Sequence, residues 1–211
     1  MRGLFITFEG VEGCGKSTQL KELQAHLEAA GHTVVVTREP GGTPIAESIR
    51  EILLDPDNTA MGATAELLLY EAARAQHIHE KIAPALQAGQ VVLCDRFADS
   101  TTAYQGAGRG IAPETLRDLH DIATGGIWPH VTILIDLDPR IGLKRARNRG
   151  REDRLEREAI EFHQRVRDGF LRLAAEEPDR IHIVDGNAPI EAVSSAIIAH
   201  IDTCLAPRST P

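Results

Sequence analysis

The segment GVEGCGKS, residues 10–17, decides the fold of this 211-residue chain. It matches the pattern GxxxxGK[ST] at every fixed position, and it lies between an apolar run at residues 4–8 and a segment whose leucines recur at helical spacing. In that order of strand, loop and helix, backbone N–H groups and the positive end of the helix converge on phosphate oxygens. The sequence therefore predicts a phosphate-binding loop (P-loop) directly after the first strand.

Two side chains of the P-loop have predicted roles in binding a nucleoside triphosphate. Lys16 is expected to pair with the β- and γ-phosphates, and the Ser17 hydroxyl is expected to bind the Mg2+ that bridges them. The predicted ATP-binding residues are Gly10, Val11, Glu12, Gly13, Cys14, Gly15, Lys16, Ser17 and Thr18. The thiol of Cys14 is either reactive or an inert small group that fills the loop.

A second ligand for the metal is expected at the end of another buried strand. Asp95 follows the apolar run at residues 91–94, where ligands bind in open α/β sheets, and it is the predicted partner of Ser17 in holding Mg2+. Two alternatives remain open for Asp95: capping of the next helix, or pairing with an arginine. The neighbouring Arg96 is predicted to clamp a phosphate group through its planar guanidinium.

Five apolar, β-branched or aromatic runs predict five strands, at residues 4–8, 33–37, 91–94, 131–135 and 181–184. Their nearly continuous apolar character is typical of strands buried on both faces of a parallel sheet. Apolar residues at helical spacing predict helices around residues 20–27 and 45–53, and over residues 66–87, 115–123, 142–147, 155–175 and 189–205. The alternation indicates a doubly wound α/β fold, and we expect one domain over residues 1–205 with a disordered tail at residues 206–211.

Composition and charge exclude several classes of protein. Hydrophobic residues make up 42% and charged residues 26%, as in globular proteins, and the formal net charge of -8 argues against binding nucleic acid polymers. No apolar run approaches the ~18 residues that cross a membrane, and the N-terminus has no signal pattern. Cys14, Cys94 and Cys204 are odd in number and far apart. We therefore expect a cytoplasmic protein with reduced thiols.

An acidic protein that binds phosphates needs a local basic pocket. Residues 140–154, RIGLKRARNRGREDR, hold seven basic residues against two acidic ones. We interpret the segment as a lid, around residues 142–154, whose arginines neutralise a transferring phosphoryl group; Arg149 and Arg151 are the candidates. The alternative is a solvated, charged helix face.

Two other stretches are candidates for binding a phosphate acceptor. Arg38 lies in TREPGGT after the second predicted strand, and Tyr70 and Arg74 lie four residues apart on one predicted helix face. An aromatic ring beside a guanidinium can hold a nucleobase, although ordinary helix packing explains Tyr70 equally well.

Taken together, GVEGCGKS, REPGGT, YEAARAQH, DRFADSTTAYQGAGRG and RARNRGREDR resemble the thymidylate kinases, and the resemblance runs over essentially the whole chain. It implies a P-loop nucleoside monophosphate kinase fold with a five-stranded parallel sheet flanked by helices, and a homodimer. It also implies phosphorylation of dTMP to dTDP with ATP and Mg2+, for dTTP synthesis. The arginine-rich lid is similar to that of the bacterial branch, which supplies its catalytic arginine from the lid.

The resemblance also implies roles for single residues. Glu12 is expected near the acceptor sugar and phosphate, Arg96 on the acceptor phosphate, and Arg50 as a second phosphate contact. Tyr70 stands where the family usually has a phenylalanine that stacks on thymine, and Arg74 resembles the arginine that reaches the base. The implied nucleoside-lining residues are Thr101, Tyr104 and Gln105, and the implied catalytic residues are Lys16, Arg96, Arg149, Arg151 and Glu12.

Two rival functions remain open at this point. One is a kinase for another nucleoside monophosphate. The other is a nucleotide-dependent switch, in which ATP turnover resets a partner interface and requires no small acceptor.

Overall fold

A five-stranded parallel sheet forms the centre of the computed structural model, which describes residues 3–147 and 153–205; the strand order is β2-β3-β1-β4-β5. The strands are β1 (Leu4–Glu9), β2 (Val34–Arg38), β3 (Val91–Asp95), β4 (Val131–Asp136) and β5 (Ile181–Asp185). The five predicted strands are confirmed within one residue at most ends. The central strand β1 pairs with both β3 and β4, so that Ile6 lies between Leu93 and Val131.

Helices cover both faces of this sheet. Ile6 and Phe8 pack on one face against Leu20 and Leu23, whereas Phe5 packs on the other face with Ile82. The helices are α1 (Lys16–Ala29), α2 (Pro44–Leu54), α3 (Ala63–His77), α4 (Ala83–Gln87), α5 (Ala98–Thr101), α6 (Pro113–Thr124), α7 (Pro139–Arg147), α8 (Ile160–Glu176) and α9 (Ile190–Leu205). Among the described residues, no helix has the length and apolar character needed to span a bilayer.

The helix predicted over residues 66–87 is continuous but changes its hydrogen-bonding pattern. A π-helical segment, Ile78–Ile82, joins α3 to α4, and Pro84 follows it after one residue. Proline has no N–H to donate and its ring crowds the preceding turn, which accounts for a widened turn at this place.

The helix predicted from residue 155 begins five residues later, at Ile160. The carboxylate of Asp153 accepts hydrogen bonds from the backbone N–H groups of Leu155 and Glu156, both at 2.9 Å. An aspartate that bonds to nearby backbone N–H groups favours a turn over a helix interior, so the apolar spacing around Leu155 was a misleading helix signal.

A helical segment that the apolar spacing did not predict follows β3. Helix α5 continues into a second π-helical segment, Thr102–Gly108, which packs closely against α8. A Cβ on Gly169 of α8 would lie 2.7 Å from the Cβ of Ala107, so glycine is required for this close approach. The segment carries Tyr104 and Gln105 into the region where β1 and β3 end.

Candidate active site

The P-loop connects the end of β1 to the start of α1, as the sequence predicts. Gly15 precedes α1 with a φ of 107°, a left-handed conformation that glycine adopts without strain. The Lys16 side chain is 7% exposed, and its Nζ donates to the carbonyl oxygens of Gly10 and Val11, each at 3.1 Å. Nζ also lies 3.6 Å from Cys14 Sγ. The lysine charge is therefore held at the loop.

Ser17 and Asp95 meet at the mouth of the loop. Ser17 Oγ donates to Asp95 Oδ2 at 3.2 Å, which joins the end of β3 to the first turn of α1. A hydroxyl and a carboxylate are hard oxygen donors, and Mg2+ commonly takes one or two such ligands and completes its shell with phosphates and water. The pair thus fits Mg2+, and in the part of the chain that the structure describes no cluster of three or more His, Cys, Asp or Glu residues could hold a metal.

Arg96 is held in the cleft by contacts on several sides. Its Nη1 donates to Gly10 O at 3.0 Å and to Ser100 Oγ at 3.1 Å, and its Nη2 donates to Glu12 Oε1 at 3.1 Å. Its guanidinium carbon lies 5.0 Å from the centre of the Tyr104 ring. The guanidinium is fixed beside the P-loop, where it can bind a second phosphate group.

Glu12 is a buried anion next to Arg96. Burial alone would raise the pKa of Glu12, but contacts with His163, Arg96 and Tyr104 outweigh it and hold the pKa well below its usual range. The Tyr104 hydroxyl donates to Glu12 Oε1 at 2.5 Å, and His163 Nδ1 lies 3.4 Å from Glu12 Oε2. Glu12 therefore stays ionised and fixes the positions of both Arg96 and Tyr104.

Tyr70 and Arg74 line the same cleft from α3. Arg74 is 1% exposed and donates to Glu39 at 2.9 Å, to Glu71 at 2.7 Å and to Thr101 Oγ1 at 2.8 Å. Burial opposes its charge, but the two carboxylates raise its pKa above the ordinary arginine value. Arg74 is a rigid cation, and the half-buried Tyr70 lines the same cleft.

Two further arginines lie at the edge of the cleft. Arg38 is exposed and pairs with Glu47 at 2.9 Å, and Arg50 Nη1 donates to Pro40 O at 2.7 Å. Burial lowers the pKa of Arg50, and the nearby Arg38 charge lowers it further. Like charges so close together favour an anionic ligand at this edge.

One cleft brings together most of the predicted site residues. Those that line it are Glu12, Gly13, Gly15, Lys16, Ser17, Arg38, Arg50, Tyr70, Arg74, Asp95, Arg96, Thr101, Tyr104 and Gln105. Gly10, Val11, Cys14 and Thr18 belong to the P-loop or its helix without lining the cleft. Arg149 and Arg151 lie outside the described residues.

Several lining residues were missed by sequence reasoning. They are Glu39, Pro40, Leu54, Phe97, Ser100, Asp153, Leu155 and Glu156. Glu39 and Pro40 lie within the quoted REPGGT segment, and Asp153 lies in the basic segment. For Glu39 and Asp153, the sequence signal for a place at the site is an acidic residue inside a glycine-rich or basic motif.

Arg154 differs from the other basic residues of the segment 140–154. Its side chain is 8% exposed, and it contacts Glu66 at 2.5 Å and Leu53 O at 2.9 Å. It therefore ties this part of the basic segment to α2 and α3, and its charge is paired with Glu66.

Comparisons with known proteins identify the family of this chain. A family model described as thymidylate kinase matches residues 8–197. The thymidylate kinase of Geotalea uraniireducens (strain Rf4) is 56% identical over 205 residues, covering 94% of this chain and 96% of that protein. The thymidylate kinase of Deinococcus radiodurans is 52% identical over 200 residues, covering 95% and 97%. The solved structure of thymidylate kinase from Ehrlichia chaffeensis has a TM-score of 0.80 and 34% identity, covering 95% of this chain and 100% of that one. This chain belongs to the thymidylate kinase family.

Proposed function

We propose that this chain is a dTMP kinase, which transfers the γ-phosphoryl group of ATP to dTMP to give ADP and dTDP. The observation that supports this proposal most directly is the position of Arg96. Its guanidinium lies beside the P-loop in the same cleft as Lys16 and the Ser17–Asp95 pair. Donor phosphates at the loop and an acceptor phosphate at Arg96 would therefore be neighbours.

The reaction on this geometry needs positioning and charge neutralisation more than proton transfer. A phosphate monoester has its second pKa near ~6, so the acceptor is largely dianionic at neutral pH and its oxygen attacks without a general base. Lys16 and the P-loop N–H groups hold the donor phosphates, while Arg96 holds the acceptor in line with them. Glu12 keeps Arg96 pointed into the cleft.

Ser17 and Asp95 are the residues that would hold Mg2+. When bound, the ion neutralises charge on the donor phosphates and lowers the repulsion between the two nucleotides. The Ser17 hydroxyl and the Asp95 carboxylate lie between the start of α1 and the end of β3.

The nucleoside of the acceptor is proposed to lie along α3 and the segment after β3. The Tyr70 ring would stack on the base, and Arg74, fixed by Glu39 and Glu71, would donate to a base carbonyl. Thr101, Tyr104 and Gln105 would line the sugar and base. Gln105 Nε2 is itself held by Glu66 at 2.8 Å, which makes this wall rigid.

The lid, the oligomer and the location complete the proposal. We infer one kinase domain over residues 1–205, with a lid around residues 142–154 whose Arg149 and Arg151 neutralise charge that develops during transfer. A homodimer is supported by large apolar side chains that α2 and α3 expose, namely Ile45, Ile52 and Leu68. A cytoplasmic location fits the ATP and monophosphate pools that the reaction needs.

An acceptor panel tests the proposed function. Purified protein with ATP and Mg2+ is assayed for product formation with dTMP, dUMP, dGMP, dCMP and AMP. We expect the highest kcat/KM with dTMP. A preference for a purine monophosphate would favour the rival nucleotide kinase and overturn the assignment.

A further inference from the structure

Glu9 is a buried carboxyl at the end of β1 for which the transfer mechanism has no role. Its side chain is 0% exposed. Glu9 Oε1 accepts a hydrogen bond from the Phe97 backbone N–H at 2.7 Å, and Glu9 Oε2 accepts one from the Ser100 hydroxyl at 2.5 Å. Phe97 makes the turn that follows Arg96, and Ser100 lies in α5 directly after this turn.

This turn holds Arg96 in an unusual conformation. The φ of Arg96 is 71°, in the left-handed region that few residues other than glycine adopt. The Arg96 backbone N–H donates to Phe8 O at 2.9 Å, and Cys94 Sγ donates to Arg96 O at 3.1 Å. Together with the two bonds made by Glu9, these contacts fix the backbone on both sides of Arg96.

A second path runs through side chains. The Ser100 hydroxyl that donates to Glu9 also accepts from Arg96 Nη1 at 3.1 Å. Glu9, Ser100 and Arg96 therefore form a chain of hydrogen bonds. The Glu9 carboxyl sets the orientation of the Ser100 hydroxyl, and this hydroxyl in turn accepts a hydrogen bond from the Arg96 guanidinium.

We propose that Glu9 is a positioning residue for the acceptor phosphate: it holds the Arg96 turn through Phe97 and Ser100 and thereby aims the Arg96 guanidinium at the acceptor. The inference rests on the proposed function, because it takes Arg96 as the acceptor-phosphate ligand. Glu9 touches neither substrate in this account; it acts through Arg96.

The charges around Glu9 fit a positioning role. Burial and the nearby Asp99 raise the pKa of Glu9 to about 7, while Arg96, Ser100 and the Phe97 N–H act in the opposite direction. The charge of Asp99 is itself paired, since Arg180 donates to both of its oxygens at 2.7 and 2.8 Å. When Glu9 is ionised, both of its oxygens can therefore accept from the Arg96 turn.

A double-mutant cycle tests the inference by the KM for dTMP. Glu9→Ala removes both acceptors and should raise the dTMP KM by about 10-fold, the scale of a lost hydrogen bond to a charged group, with little change in the KM for ATP. Glu9→Gln keeps an oxygen for the Phe97 N–H and should show a smaller rise. In an Arg96→Ala background, neither substitution should raise the dTMP KM further, because the residue they position is gone.

Thr7→Val is the matched control. Thr7 lies on the same strand, is 0% exposed and bonds to Thr132 Oγ1 at 2.8 Å, away from Arg96. It should lower the melting temperature without changing the dTMP KM. The inference would be overturned if both Glu9 variants had an unchanged dTMP KM, or if they raised it equally with and without Arg96. Either result would leave the proposed function standing, provided that the parent phosphorylates dTMP. A parent that fails to phosphorylate dTMP would instead overturn the proposed function itself.

Discussion

At the scale of single residues, Arg96 shows how a strained conformation is maintained at a binding site. A left-handed φ costs a residue with a side chain about 1–2 kcal/mol, and the cost is offset here by hydrogen bonds to Phe8 O, Gly10 O and Ser100. The conformation sets the direction of the side chain, because the sharp turn after β3 places the guanidinium over the P-loop. A straight continuation of the strand would carry it away.

Glu9 gives a prediction about the pH dependence of stability. Burial raises its pKa to about 7 in the folded chain, from an ordinary value of 4.5. Between these values the folded chain binds a proton that the unfolded chain has lost, so this group stabilises the fold at low pH and its contribution is lost as pH rises through about 7. The melting temperature should therefore fall more steeply between about pH 5 and about pH 8 for the parent than for Glu9→Gln, whose amide has no proton to lose in this range.

The control for this prediction is Thr7→Val, which should keep the parent's slope at a lower melting temperature. Equal slopes in the parent and Glu9→Gln would show that the Glu9 carboxyl does not titrate in this range.

Residues that a local motif places could be predicted to lie at the cleft, and residues placed by contacts with distant parts of the chain could not. Lys16, Ser17 and Asp95 were predicted because a P-loop and a strand end define their places. From the sequence alone, Glu9 is part of a strand and Glu39 is part of a turn. Glu9 is placed by its contacts with Phe97 and Ser100, and Glu39 is placed by its contact with Arg74. Those partners lie 35 or more residues away along the chain.

At the scale of elements, α7 packs on the P-loop through two glycines. A Cβ on Gly142 would lie 2.1 Å from Glu12 O, and a Cβ on Gly13 would lie 2.1 Å from Gly142 O. Backbone therefore meets backbone, and α7 lies directly on the P-loop.

The Gly142→Ala substitution distinguishes the effect of this contact on stability from the effect of helix propensity. Alanine in a helix is favoured over glycine by about 1 kcal/mol, so without the contact the substitution would stabilise the protein. We expect the opposite: a loss of about 1–3 kcal/mol in the free energy of unfolding and a higher KM for ATP, because α7 must move off the P-loop. Denaturant unfolding and steady-state kinetics measure both.

Gly62→Ala is the matched control, since nothing lies within 4 Å of its added Cβ and its φ is -72°. It should leave the KM for ATP unchanged. A stabilised Gly142→Ala protein with normal kinetics would contradict the close contact.

The lid gives a kinetic prediction. If Arg149 and Arg151 act on charge that develops during transfer, replacing either with alanine should lower kcat by about 10- to 1000-fold with little change in the dTMP KM. Arg140→Ala is the control, because this arginine of α7 is 72% exposed and lies 3.8 Å from Asp138. Unchanged kcat in both lid variants and in their double mutant would identify the segment as a solvated charged face.

Helices and strands were predicted well where apolar spacing reflects burial. They were predicted less well where side-chain hydrogen bonds determine where an element begins or ends. The strands and α1, α6 and α9 follow their apolar patterns closely. The start of α8 did not, because Asp153 stabilises a turn, and the segment Thr102–Gly108 was missed because its small and β-branched residues give a weak helical signal. The apolar stripe predicted for α2 consists of Ile45, Ile49, Ile52 and Leu53, but only Leu53 is fully buried, and Ile45 and Ile52 are exposed.

At the scale of the whole molecule, these exposed side chains predict self-association. Helices α2 and α3 pack together and expose Ile45, Ile52 and Leu68. We expect sedimentation velocity to show a dimer, and Leu68→Glu to shift it to a monomer, because a buried, unpaired charge opposes an apolar interface. Ile190→Glu, on the exposed surface of α9, should remain dimeric. A parent that sediments as a monomer would contradict the proposed dimer.

The central claim is that the cleft transfers a phosphoryl group from ATP to a small acceptor. The most direct test is release of ADP by the purified protein with ATP and Mg2+, measured with and without dTMP. We expect turnover that depends on dTMP, and an Arg96→Ala protein that needs much more dTMP to reach half its maximal rate. ADP release that is equally fast without dTMP would contradict the account and indicate a nucleotide-dependent switch.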